Sequence, residues 1–103
     1  MELRGKQKQY LKKEAHHMNP LFQVGKGGLN EEMLYQIGEA LEKRELLKIA
    51  LLQNTDEETD AVAAVIEEKL RATVVQQSGR TLVLFKTKKK KKNRRYSTVV
   101  EKI

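Results

Sequence analysis

Residues Leu46–Leu52 read LLKIALL, seven positions with a single polar side chain among them. A run so short and so apolar suits a strand buried on both faces rather than a surface helix. The segments around it carry a different period. Leu34, Ile37 and Leu41 fall at i, i+3 and i+7, which predicts an amphipathic helix ending near Arg44. Asn30 supplies its N-cap, and Glu31 and Glu32 suit its positive end. Downstream, Thr55 and Glu58 have the spacing of a capping box, and Val62, Val65, Ile66 and Leu70 share one face of the helix that follows. Thr73–Gln77 and Thr81–Lys86 are β-branched runs around Ser78-Gly79-Arg80, the pattern of a tight hairpin.

Upstream, Tyr10, Leu11, Ala15 and Met18 recur at helical spacing between Lys6 and the histidines. Pro20 disfavours helical geometry at Asn19, so this first helix stops near Met18. Leu21–Val24 then reads as a short strand running into Gly25-Lys26-Gly27-Gly28. The predicted order is a helix followed by β-α-β-α-β-β. That is an α/β chain of α+β character, with three helices on a mixed four-stranded sheet. At 103 residues there is room for one modest core, so residues 1–86 form a single domain. From Thr87 onward the periodicity disappears, and residues 87–103 read as a basic tail that is disordered without a partner, with a short strand or docking segment at Tyr96–Val100 as the minor alternative.

The formal charge of +7 lies in that tail. Residues 1–86 hold 13 basic and 13 acidic groups, whereas residues 87–103 hold eight basic groups against Glu101 alone. The neutral body is polarised in turn: residues 1–29 carry +4, residues 30–70 carry −7 and residues 71–86 carry +3. A polyanion should meet the two basic ends and avoid the middle.

The sharpest candidate site is the Gly25-Lys26-Gly27-Gly28 loop, set between a strand and a helix N-terminus. Peptide N–H groups there are unpaired, glycines allow a sugar-phosphate backbone to approach, and Lys26 adds a mobile charge. KH-type single-strand binders use a GXXG loop in this way. The plain alternative is a glycine turn with no ligand, and Glu31 and Glu32 compete for the same helix end. Arg4, Lys6, Lys8, Lys12 and Lys13 give the first helix a cationic face, and Arg80 adds a charge at the hairpin turn. Lys88, Lys89, Lys90, Lys91 and Lys92 with Arg94 and Arg95 would add salt-sensitive affinity without reading sequence.

Other chemistries fit poorly. The loop lacks the Gly-Lys-Ser/Thr ending of a nucleotide-binding P-loop. His16 and His17 have no further ligand at zinc spacing, no nucleophile–base pair is suggested, and the expectation is no metal, no cofactor and no catalysis. Tyr10, Tyr35 and Phe22 read as core or boundary residues, and five aromatics without tryptophan are too few for an RRM-like stacking sheet. There are no cysteines, no membrane-length apolar run and no apolar leader, so the expected compartment is the cytoplasm. The lysine tail lacks the apolar partner or lipid that stable membrane attachment needs.

Lys6-Gln7, Leu11, Ala15-His16, Pro20, Val24 to Leu29 and Ala40-Leu41 together resemble the CRM (chloroplast RNA splicing and ribosome maturation) domain. Glu45 to Ile49 and the Val74-Val75-Gln76, Gly79-Arg80, Val83-Leu84 hairpin continue the likeness, which runs from about Leu3 to Lys86 and is nearest to the stand-alone bacterial YhbY type. The resemblance implies a fold similar to the C-terminal domain of a bacterial translation initiation factor. It also implies binding of ribosomal RNA in precursors of the large subunit, through Gly25–Gly28 and the basic helix at Lys6–Lys13. The leading expectation is thus a monomeric RNA-binding ribosome-assembly factor, with ribosomal proteins as further partners. The alternative is a protein-interaction module whose acidic second and third helices dock a basic ribosomal protein.

Overall fold

The computed structural model describes residues 3–87 and 95–103. Four helices, α1 (Gly5–Ala15), α2 (Glu31–Arg44), α3 (Thr59–Leu70) and α4 (Tyr96–Val100), surround the strands β1 (Phe22–Val24), β2 (Leu46–Leu51), β3 (Thr73–Ser78) and β4 (Thr81–Phe85). The sheet order is β1-β2-β4-β3. β1 and β2 are parallel, joined by the α2 crossover, and β4 runs antiparallel to both β2 and β3. β2 and β3 therefore point the same way with β4 inserted between them, a split β-α-β unit.

The apolar run at Leu46–Leu51 explains the layering. Alternate side chains of β2 and β4 feed two separate cores. Leu47, Ile49, Leu51, Leu82 and Leu84 pack against Ile37 and Leu41 of α2 and Val62 and Ile66 of α3. Leu46, Val83 and Phe85 face the other way, against Leu11 and Ala15 of α1 and Tyr96 and Val100 of α4. A bulge between Val74 and Gln76 lets β3 place Val75 in this second core.

Three expectations need correction. The buried stripe of α1 is Gln7, Leu11 and Ala15: Leu11 and Ala15 are as expected, Tyr10 and Met18 pack half-buried against the same core, and Gln7 departs from the polar side where the sequence pattern puts it. Gln7 is acceptable inside because its Oε1 accepts the Arg4 N–H at 2.7 Å and its Nε2 donates to the Val100 carbonyl at 2.9 Å. The Thr55–Glu58 capping box does not form. The Thr55 hydroxyl accepts the N–H of Glu57 at 3.2 Å instead, and α3 begins at Thr59 with Glu58 as its N-cap.

The third correction concerns the tail, where the main expectation is no order from Thr87 and the minor one a short strand or docking segment at Tyr96–Val100. Residues 96–100 form α4, whose Tyr96 and Val100 are buried on the sheet. The cause is Glu45, which is wholly buried and has φ +64 at the end of α2. Its carboxylate Oε1 accepts N–H groups from Arg95 (2.6 Å), Tyr96 (2.7 Å) and Ser97 (3.2 Å), and its Oε2 accepts the Ser97 hydroxyl at 2.5 Å. An anion at a helix N-terminus with this many donors is well compensated. The Glu45 carbonyl also accepts the Lys86 N–H at 2.8 Å, so β4 and α4 are both moored to one residue.

Candidate nucleic-acid interface

The glycine loop follows β1 at the far end of the sheet from Glu45. Its backbone closes as a turn, with the Gly28 N–H donating to the Gly25 carbonyl at 3.0 Å. Only Gly28 needs glycine for its backbone, at φ +68. Lys26 and Gly27 stand exposed at the tip, and a Cβ at Gly27 would meet nothing within 4 Å. Asn30 caps α2 as expected, its Oδ1 accepting the Met33 N–H at 2.8 Å.

One neighbour of this loop was missed by sequence reasoning. Glu57 reaches back from the segment before α3, and its Oε1 accepts the Leu29 N–H at 3.2 Å. The same oxygen lies 2.6 Å from where a Gly28 Cβ would sit. The peptide N–H groups expected to be open are thus partly taken: Gly28 bonds within the turn and Leu29 bonds a carboxylate. An incoming anion is left the tip at Lys26 and Gly27. Gly28→Ala should lose about 1–2 kcal/mol in urea unfolding, from the left-handed backbone plus displacement of Glu57. A loss within error of zero would show that the turn does not depend on that glycine.

The remaining candidate residues do not converge on one point. Arg4, Lys6, Lys8, Lys12 and Lys13 are all exposed, spread along α1, whose opposite face is sealed onto the sheet. Near its start, Lys8 borders a groove with Arg71 and Thr73, where β3 begins. At its far end, His16 shares a hollow with Lys48, Gln76, Ser78 and Thr81 beside the hairpin turn. The cationic face of α1 therefore runs the length of β3, toward the glycine-loop end of the sheet. Burial and the Glu14 carboxylate push the Tyr10 phenol above its ordinary value on this helix.

Arg80 sits at that end of the sheet too, exposed but with part of its guanidinium engaged. Its Nε donates to the Leu51 carbonyl at 3.2 Å and an Nη to the Leu52 carbonyl at 2.9 Å. Gly25 packs on Leu52 and Asn54, so Arg80 supports the ground beneath the loop. Arg95 lies at the opposite end, its guanidinium 5.1 Å from the Tyr96 ring centre. Six residues of β2 put the two ends roughly 17–20 Å apart. Lys88, Lys89, Lys90, Lys91, Lys92 and Arg94 fall outside the described residues.

The other expectations divide. His16 and His17 are exposed with their rings 5.0 Å apart edge to face, and no group of three metal-ligating side chains occurs among the described residues. Phe22 is half-buried, a boundary residue as read, whereas Tyr35 is 67% exposed on α2. A hydrogen bond to Glu39 raises the Tyr35 phenol above its usual value. No described helix is long and apolar enough to cross a membrane.

Similar proteins share this chain's pattern over most of its length. It is 51% identical over 84 residues to the "probable RNA-binding protein YqeI" of Bacillus subtilis, covering 82% of this chain and 88% of that one. An RNA-binding protein of Haemophilus influenzae is 38% identical over 81 residues, covering 79% and 82%. The solution structure of the hypothetical protein SAV1595 of Staphylococcus aureus superposes with a TM-score of 0.73 at 41% identity, over 91% of this chain and 98% of that one. Residues 3–86 match the model of the CRS1/YhbY (CRM) domain, and the chain belongs to that family.

Proposed function

We propose that this protein binds RNA, and that its target is ribosomal RNA of the large subunit during assembly, in the cytoplasm. The observation that carries the reading is the exposed Lys26-Gly27 tip at the start of α2, beside a sheet face lined by α1 and its five cations. Such a tip admits a phosphate closely, and the α1 cations extend the contact along a folded backbone. The RNA-binding names of the relatives support the same class of partner. The protein should co-sediment with large-subunit precursors at low salt and leave them as salt is raised. Absence from those fractions at low salt, with naked ribosomal RNA also unbound, would sink the proposal.

Glu57 then acts as a brake on the loop. Glu57→Gln removes a negative charge beside the tip, and RNA affinity should rise about two- to five-fold at low salt. An unchanged or lower affinity would mean that the carboxylate orders the loop more than it repels RNA.

A second reading has its own support on the opposite side of the sheet. Glu31, Glu32, Glu39, Asp60, Glu67 and Glu68 are exposed on α2 and α3. That anionic side suits a basic ribosomal protein while the other side holds RNA. Crosslinks from α2 and α3 that reach only RNA would remove this reading.

A further inference from the structure

β1 is only three residues long and pairs with Ile49–Leu51, the second half of β2. The first half, Leu46–Lys48, gains on that side the one bond from the Leu21 N–H to the Lys48 carbonyl, at 2.7 Å. A cleft of about 590 Å³ opens along this uncovered edge, between the end of α2, the Met18–Leu21 connection and the start of α4. Its rim carries Lys43, Arg44, Lys48 and Arg95, and Met18 and Leu21 contribute apolar wall. Leu21 is 43% exposed and so open to a ligand in the cleft.

Three of these cations come from the −7 segment that a polyanion was expected to avoid. Folding gathers them with Arg95 around one cleft. The carboxylate of Glu45, next to Arg44 in sequence, is spent on the N-terminus of α4. Arg95 is placed by the Tyr96 ring beneath it and by its own N–H to Glu45.

We propose that this cleft takes an unpaired nucleotide of a bound RNA, its phosphate held by the Arg44, Lys48 and Arg95 rim and its base against Leu21 and Met18. This rests on the RNA-binding reading and adds a second anchor to it, at the opposite end of β2 from the glycine loop. Two features select the occupant. Four cations with no carboxylate among the lining residues call for an anion. A recess with apolar walls, in the volume range of small-ligand sites, fits a splayed base better than a duplex backbone, which would meet only the rim.

The test is a titration of the full ¹⁵N-labelled chain with a uridine octamer, a blunt RNA duplex, inorganic phosphate and a glutamate octamer, followed by amide shifts. The octamer should move Leu21, Lys43, Arg44, Lys48 and Arg95 in a saturable manner, and the duplex should do so at least several-fold more weakly. Lys43→Gln with Arg44→Gln, both exposed at the end of α2, should weaken octamer binding about ten-fold and lower its salt slope by about 1–2. Leu21→Ala should weaken it two- to five-fold with no change in slope. Glycine-loop amides that move while cleft amides stay still would overturn the cleft and leave the RNA reading standing. No movement anywhere with either RNA would overturn both. Equal displacement by phosphate or by the glutamate octamer would make the cleft a general anion site and overturn the nucleotide assignment.

Discussion

Replacing Glu45 by alanine is expected to cost about 3 kcal/mol of folding stability and to release α4 from the sheet. The carboxylate is wholly buried and accepts three backbone N–H groups and one hydroxyl from Arg95, Tyr96 and Ser97. Alanine supplies no acceptor, so the donors at the start of α4 are left without a partner unless the helix moves into water. If it moves, Tyr96 and Val100 leave the second core, and their burial is lost too. Alanine keeps a Cβ at φ +64, so backbone strain is the same in both proteins and the difference reports the carboxylate. Urea unfolding measures the loss, and amide exchange at Tyr96 to Val100 shows whether α4 has detached. A loss below about 1 kcal/mol with those amides still protected would mean that α4 is held by its apolar contacts alone.

The same geometry governs how the basic segment can be tested. A chain ending at Thr87 loses more than lysines: it strips Tyr96 and Val100 from Leu11 and Phe85 and leaves Glu45 buried with its α4 donors gone. The electrostatic contribution is better isolated by glutamine at positions 88–92, with α4 retained.

The second large effect is expected at the loop tip. Lys26→Ala combined with Gly27→Asp changes the local charge by two units where a phosphate would approach closest, and RNA affinity should fall about 10- to 100-fold. The fold should not notice. Both positions are exposed, a Cβ at Gly27 meets nothing, and Gly27 has no left-handed backbone to lose. The melting temperature is therefore the internal control. Binding equal to wild type with an unchanged melting temperature would remove the loop from the interface.

The sequence was readable wherever one period or one short-range bond decided the structure. LLKIALL marked β2, Asn30 marked the start of α2, and Ser78-Gly79-Arg80 marked the hairpin. The parts that escaped depend on partners far apart in the chain. Glu45 reads as one more acid in an acidic stretch, and its donors lie fifty or more residues away. Gln7 looks like a surface residue until α4 brings Val100 to it, 93 positions on. α4 itself spans only five residues, with Tyr96 and Val100 one turn apart, too short for periodicity to stand out beside a lysine run. At the candidate site the glycine loop was plain, but Glu57 and the gathering of Lys43, Arg44, Lys48 and Arg95 follow from folding, not spacing.

The central claim is that the glycine loop orients RNA while the lysine segment adds non-selective attraction. The most direct measurement is a salt titration of binding to a large-subunit ribosomal RNA fragment. It compares the wild-type chain, Lys26→Ala with Gly27→Asp, and a chain with glutamine at positions 88–92. Neutralising the lysines should flatten the salt dependence and spare part of the low-salt affinity, whereas the loop change should lower affinity at every salt with all five lysines present. If the loop variant binds like wild type and the glutamine variant does not bind at all, the protein is a generic polycation toward RNA and the loop assignment is wrong.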